Sequence, residues 1–180
     1  MKLGGNVMRA VSKHRFRLGL TGSLTAACLL LSAGASQATT TTTTFNVTIT
    51  LVNTCTINST TTLNFGNSVG VLSANIDPAG VPISVTCTNG ATYNVGLDAG
   101  TGAGATVATR KMTSGGSTVN YSLYRDNGYS NVWGNTVSTD TVSSTGTGAA
   151  QSFTVYGRVP SQTTPASGTY SDTITVTVTY

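Results

Sequence analysis

The sequence contains no glutamate, and its single histidine is His14. Charged residues make up only 8% of the 180 positions, with three cysteines, four prolines and one tryptophan. Each shortage excludes something. General acid–base catalysis and zinc ligation rely mainly on His, Glu, Cys and Lys, and beyond position 38 there is no His or Glu and only one Lys. No D-x-D-x-D run exists, and Asp77, Asp98, Asp126, Asp140 and Asp172 are too dispersed for a calcium loop. No window carries a helical repeat of useful length. Neither an enzyme nor a cofactor or metal site is expected.

What charge there is lies unevenly. Five of the nine basic residues are Lys2, Lys13, Arg9, Arg15 and Arg17, and an apolar stretch follows from Leu18 to about Leu31. Small residues lead to Ser36-Gln37-Ala38. This order reads as a secretory signal, residues 1–38, with cleavage after Ala38. An uncleaved anchor fits less well, because Gly19, Gly22 and several Ser and Thr break the apolar run. A lipoprotein anchor at Cys28 lacks the usual Leu upstream. Cleavage leaves 142 residues with a net charge of −1, so the formal +4 of the whole chain belongs to the leader. A nearly neutral product offers no footprint for nucleic acid, and no membrane insertion of the mature chain is expected.

Cys55 and Cys87 remain, 32 residues apart. In an exported chain an even pair reads as a disulfide, contributing roughly 3–4 kcal/mol by loop-closure entropy. No C-x-x-C spacing suggests a redox pair.

After six threonines at 39–44, the pattern alternates. Phe45, Val47, Ile49 and Leu51 point one way, Asn46, Thr48 and Thr50 the other. Further strands are predicted over Cys55–Asn58, Val81–Thr88, Tyr93–Leu97, Val119–Arg125 and Gln151–Val159. Asn89-Gly90 reads as a β-hairpin turn between the second and third of these. The last strand is the most regular: Tyr170, Asp172, Ile174, Val176, Val178 and Tyr180 alternate with Thr173, Thr175, Thr177 and Thr179. Residues 135–149 are rich in Ser, Thr and Gly. Several strands, turn signals and one disulfide predict an all-β sandwich.

The ordered pieces Leu63-Asn64-Phe65-Gly66, Ile83-Ser84-Val85-Thr86-Cys87, Tyr121-Ser122-Leu123-Tyr124-Arg125-Asp126, Trp133-Gly134, Val155-Tyr156-Gly157-Arg158-Val159-Pro160 and Gly168-Thr169-Tyr170-Ser171-Asp172-Thr173 carry a further signal. With the strand entering Cys55, they resemble the spore coat protein U family, which includes subunits of archaic (Csu-type) chaperone–usher pili. The resemblance spans about residues 45–180. It implies an incomplete immunoglobulin-like sandwich, residues 54–180, that lacks its last strand and is completed by a donor strand from a partner. It implies a periplasmic chaperone, an outer-membrane usher and identical or related subunits as partners, and a surface pilus as destination. Residues 39–53 would then be an extension whose Phe45, Val47, Ile49 and Leu51 enter a neighbour. Ile174, Val176, Val178 and Tyr180 would flank the groove that receives the chaperone or donor strand, and the chaperone would grip the carboxylate of Tyr180. From periodicity alone, Phe45–Leu51 could equally be a strand of its own domain.

Other surfaces compete. Tyr93, Tyr121, Tyr124, Tyr129 and Trp133 could line a sugar-binding face of a monomeric module, or simply pack. Arg110-Lys111 and Arg125-Asp126 read as solvated charge or as ligand contacts. A coat that assembles without a pilus is a third reading.

Overall fold

The computed structural model describes residues 37–67 and 69–180. The proposed leader, apart from its last two residues, lies outside them. Two compact units are distinguished, one ending at Val47 and one running from Thr48 to Tyr180. Within the first, the described residues carry no regular secondary structure and are exposed.

The second unit is a two-sheet β structure, with no helix among the described residues. Eight strands are β1 (Cys55–Thr60), β2 (Val81–Cys87), β3 (Thr92–Leu97), β4 (Arg110–Ser114), β5 (Ser117–Tyr124), β6 (Val142–Thr145), β7 (Ala150–Arg158) and β8 (Val176–Thr179). One sheet has the order β1-β2-β7-β5-β4 and the other β6-β3-β8. All pairs within the sheets are antiparallel. The period-two pattern explains the packing. Ile83, Val85 and Cys87 of β2, Val119, Tyr121 and Leu123 of β5 and Val155 of β7 turn inward from one sheet. Tyr93, Val95 and Leu97 of β3 meet them from the other, with Trp133 buried among them.

The turn at Asn89-Gly90 corrects the sequence reading. It does not close a hairpin: β2 and β3 lie in different sheets. A tight two-residue hairpin of the type Asn-Gly favours needs positive φ at both positions. Here only Gly90 has it, at φ 81°. The turn instead carries the chain across the core, so that the apolar faces of β2 and β3 oppose each other rather than share one surface. The tight hairpin lies at Gly115-Gly116, where both φ values are positive and Ser114 pairs with Ser117. Within the Ser-, Thr- and Gly-rich 135–149 segment, where the sequence pattern signals no strand, β6 forms and pairs with β3.

The long C-terminal strand is divided. Ser171 bridges to Thr113 on β4, in the larger sheet, whereas Val176–Thr179 pairs with β3 in the smaller one. The crossing is held by Asp172. Its carboxylate accepts hydrogen bonds from the Thr101 amide and hydroxyl, from the Thr173 amide, each at 2.8 Å, and from the Tyr121 hydroxyl at 2.7 Å. Four donors on one carboxylate outweigh the preference of the local pattern for a straight strand.

Arg110 is the second correction. Expected at the surface, it is fully buried. Its guanidinium donates to the carbonyls of Asp98 (2.8 Å), Val107 (2.8 Å), Leu97 (3.1 Å) and Trp133 (2.7 Å). An arginine from the larger sheet thus ties down the end of β3 in the smaller one. Replacing Arg110 with Leu leaves these carbonyls without their donor in a dry interior. The expected loss is about 3 kcal/mol or more in a urea titration, with Arg110→Lys recovering only part because it supplies fewer donors.

Candidate functional site

The site begins at the outer edge of β8. This strand hydrogen-bonds to β3 alone, through the pairs Asn94–Thr179, Val95–Val178, Gly96–Thr177 and Leu97–Val176. Just before it, the Asp98 amide donates to the Thr175 carbonyl at 3.1 Å, and the Thr175 amide donates to the Asp98 carboxylate at 2.9 Å. The backbone of Thr175 therefore faces β3. Successive residues of a strand direct their backbone groups to opposite sides. By that alternation Thr177 and Thr179 also face β3, and Ile174, Val176 and Val178 turn their N–H and C=O groups toward the free edge. Those three side chains pack against the core but are only half-buried. On β3, beside them, Val95 and Leu97 are buried completely. On its other side β8 has no strand of its own sheet to cover Ile174, Val176 and Val178.

Across the opening lies β1, the edge strand of the larger sheet, which β8 approaches. Cys55 and Cys87 are disulfide-bonded and form the first rung of the β1–β2 ladder. The bond therefore links neighbouring strands of one sheet and pins this edge in register. Two residues on, Ile57 pairs with Val85 and shares its inward face, yet Ile57 is 38% exposed. The ladder then breaks in a bulge between Ile57 and Ser59, and the Asn58 amide group donates to the hydroxyls of Thr86 and Ser84 on the outer face. Beyond β1, Leu63 and Phe65 pack over Gly157 of β7, where any Cβ would overlap both. Phe65 also meets Tyr121 edge to face.

The geometry is a strand, β8, with a free edge and half-buried apolar side chains on one side, and an inward-facing, part-exposed Ile57 on the other. Such an edge can accept an extended segment, by backbone hydrogen bonding to β8 and by alternate apolar side chains entering the sandwich. Ile174, Val176 and Val178 lie along that free edge. Tyr180 stands past the end of β8 and is 60% exposed. Ile57 was not singled out from sequence, although its spacing from Cys55 puts it on the inner face. Elsewhere, Phe45, Val47, Ile49 and Leu51 are unpaired and 80–85% exposed.

The sugar-face reading loses three of its five rings. Tyr93 and Trp133 are buried, with the Trp133 indole donating to the Val95 carbonyl at 2.8 Å. Tyr121 is buried as well, and its hydroxyl is held to Asp172. Burial, then the Asp172 carboxylate, push its pKa far above the ordinary tyrosine value. These rings are core. Among the described residues no cluster of His, Cys, Asp or Glu is arranged to hold a metal.

The profile of the Spore Coat Protein U domain matches residues 41–177. The chain belongs to this family. A relative with that domain's letter, Protein U of Myxococcus xanthus, is 36% identical over 171 residues, covering 88% of this chain and 95% of that one. Among solved structures, a chain of the CsuC–CsuE chaperone–tip adhesion subunit pre-assembly complex, from the archaic chaperone–usher Csu pili of Acinetobacter baumannii, superposes with a TM-score of 0.51. Identity to it is 23%, over 73% of this chain and 40% of that one. At that identity the likeness concerns the fold, which is the all-β, pilin-type sandwich. The chain spans well under half of that longer partner in the comparison.

In this Spore Coat Protein U domain, Asp98 anchors the start of β8. Burial raises its pKa, but hydrogen bonds from Thr175 and Gly100 and the charge of Arg110 more than offset this and hold it below the ordinary value of 3.8. A depressed carboxylate stabilises the fold fully above the unfolded value and loses that contribution as pH falls through the lower folded value. Hydrogen-exchange protection at the amides of Thr175 and its β8 neighbours, taken relative to the intrinsic rate at each pH, should therefore be unchanged from pH 7 to 5, and fall ahead of β2 and β7 below about pH 4. Asp98→Asn should show lower protection at neutral pH and remove that acid step.

Proposed function

We propose that this chain is a structural, non-enzymatic subunit of a surface pilus, assembled through the chaperone–usher pathway by donor-strand exchange. The observation that carries this reading is the open edge of β8, with Ile174, Val176 and Val178 half-buried beside it. A strand edge of this kind invites pairing and must be covered to keep the protein from aggregating. The same chain carries a segment suited to cover such an edge in a neighbour. Phe45, Val47, Ile49 and Leu51 alternate at the period of a strand and expose nearly their whole side chains. Burying four such side chains is worth roughly 6–12 kcal/mol gross, comparable to the stability of a domain.

In this reading residues 1–38 direct export and residues 39–53 form the extension. A periplasmic chaperone lends a strand to the groove, and at the outer-membrane usher the extension of the next subunit replaces it. Head-to-tail contacts of this type do not close on themselves, so they propagate into a fibre. The family membership and the pilin-type fold support the assignment. With Tyr93, Tyr121 and Trp133 in the core, a monomeric module binding sugars through them loses its main support.

Two substitutions separate the roles. Ile49→Asp puts a carboxylate where the donor must enter an apolar groove, so fibres should be absent by electron microscopy while the subunit still co-purifies with its chaperone. Val176→Asp damages the receiving side, so folding or chaperone capture should fail. Normal fibres from Ile49→Asp protein would refute the donor register. A stable, soluble monomer made without any chaperone would refute the incomplete-sandwich reading as a whole.

A further inference from the structure

The smaller sheet has two edges, and they are finished differently. On β8, Ile174, Val176 and Val178 turn their backbone groups outward, and among the described residues no side chain hydrogen-bonds to them. The other edge is β6. The Gly146 amide donates to the Ala91 carbonyl at 2.7 Å, and the Gly146 carbonyl accepts from the Gly90 amide at 2.9 Å, so Gly146 faces β3. By alternation Val142 and Ser144 face β3 as well, whereas Thr141, Ser143 and Thr145 turn their N–H and C=O groups outward.

Two of those three outward carbonyls are occupied by side chains from the larger sheet. Arg125, just past the end of β5, donates from Nη1 to the Thr141 carbonyl at 3.0 Å. Gln151, on β7, donates from Nε2 to the Thr145 carbonyl at 3.1 Å. Gln151 is itself held, because its Oε1 accepts from the Tyr93 hydroxyl at 3.0 Å. Beside β6 lies an open cleft of about 580 Å³. Its walls carry both charges, Arg125 and Asp126, among hydroxyl groups such as those of Ser138, Thr139 and Ser143. By contrast, residues 174–180 include no charged side chain.

We propose that Arg125 and Gln151 guard this edge: they close β6 to strand addition and so determine that the smaller sheet grows at β8 alone. A strand joining β6 would have to strip both donors from their carbonyls. It would also set its alternate apolar side chains against Arg125 and Asp126. Taking a guanidinium from its acceptor while an incoming strand excludes water is costly. Charge aimed at an edge is one of the means by which sheets avoid unwanted pairing. A strand joining β8 meets neither obstacle. The inference deepens the reading of the chain as a strand-exchanging subunit and rests on it for its biological meaning, while the closure of β6 is tested separately.

The probe is a synthetic peptide of residues 43–53, which contains Phe45, Val47, Ile49 and Leu51. The full exported chain is titrated with it, as wild type and as the double variant Arg125→Met with Gln151→Met. Native mass spectrometry counts the peptides held per chain, and hydrogen exchange locates them. The double variant should hold one peptide more than the wild type, with affinity at β6 raised roughly tenfold or more and new protection at the amides of Ser143 and Thr145. Arg125→Met alone should gain the same peptide more weakly, and it decides the matter if loss of the Tyr93–Gln151 bond unfolds the double variant. Adding Ser143→Pro should remove the gain, because proline takes away an outward N–H that an added strand would use. Peptide protecting β6 in the wild type, a count in Arg125→Met no higher than the wild type's, or a gain that survives Ser143→Pro would each overturn the proposal. Failure of the assembly reading shows elsewhere: the wild type would then take no peptide at β8, while the difference between wild type and variants still reports on β6.

Discussion

The free edge of β8 is the constraint around which this fold is arranged. A strand with a neighbour on one side only loses backbone partners and lateral cover together. Both losses are visible in the same residues: Ile174, Val176 and Val178 aim their backbone groups outward and leave their side chains half-buried. The strand is kept in place from its beginning instead. Asp98 holds the Thr175 amide, and Asp172 fixes the point where the chain leaves one sheet for the other. Two carboxylates thus fix the approach to β8, and the edge strand β1 is pinned by its disulfide. The outer edge of β8 itself has no strand partner along its length among the described residues.

A chain this poor in charge gives each ion a distinct task. Arg110 lies in the interior, where five donors can satisfy carbonyls that converge from the end of β3 and from two connecting segments, and no lysine has that reach. Burial lowers its pKa from an ordinary arginine value, and the nearby Tyr121, Asp98 and Asp172 act against that shift. Tyr121, in turn, is held by Asp172, so two hydrogen-bonded sets of polar groups, one at Arg110 and one at Asp172, flank the approach to β8. Each set stabilises only when complete. Arg158 and Asp77 do the opposite work, an exposed pair on the outer face that contributes little beyond local order.

Much of the architecture was legible because alternation encodes which face of a strand is buried. Ile83, Val85 and Cys87 on β2, Val119, Tyr121 and Leu123 on β5, and Phe153, Val155 and Gly157 on β7 all follow their period-two assignments. Alternation does not encode which sheet a strand joins. Asn89-Gly90 signals a turn, but only the opposing apolar faces of β2 and β3 decide that it crosses the core. The same limit hid the division of the C-terminal strand, since Ser171 and Val176 continue one pattern while pairing in different sheets. β6 escaped notice because its Val-Ser-Ser-Thr carries one apolar residue and draws its stability from β3. Arg110 was misjudged for a related reason: charge in a sequence suggests solvent, and only the convergence of four carbonyls makes an interior place tenable. At the free edge, the inward faces of Ile174, Val176 and Val178 were recognisable from their repeat. Ile57 was not, because its exposure depends on the absence of a neighbour.

In the donor-strand reading, pairing would consume the edge at β8: a donor segment laid along it would turn Ile174, Val176 and Val178 into core and satisfy their outward backbone groups. In a head-to-tail fibre each subunit would then hide this edge and leave the other edge of the smaller sheet, at β6, where it stands. The scarcity of charge in this sequence suits such pairing, because an edge without a charged side chain of its own carries little to discourage a second strand.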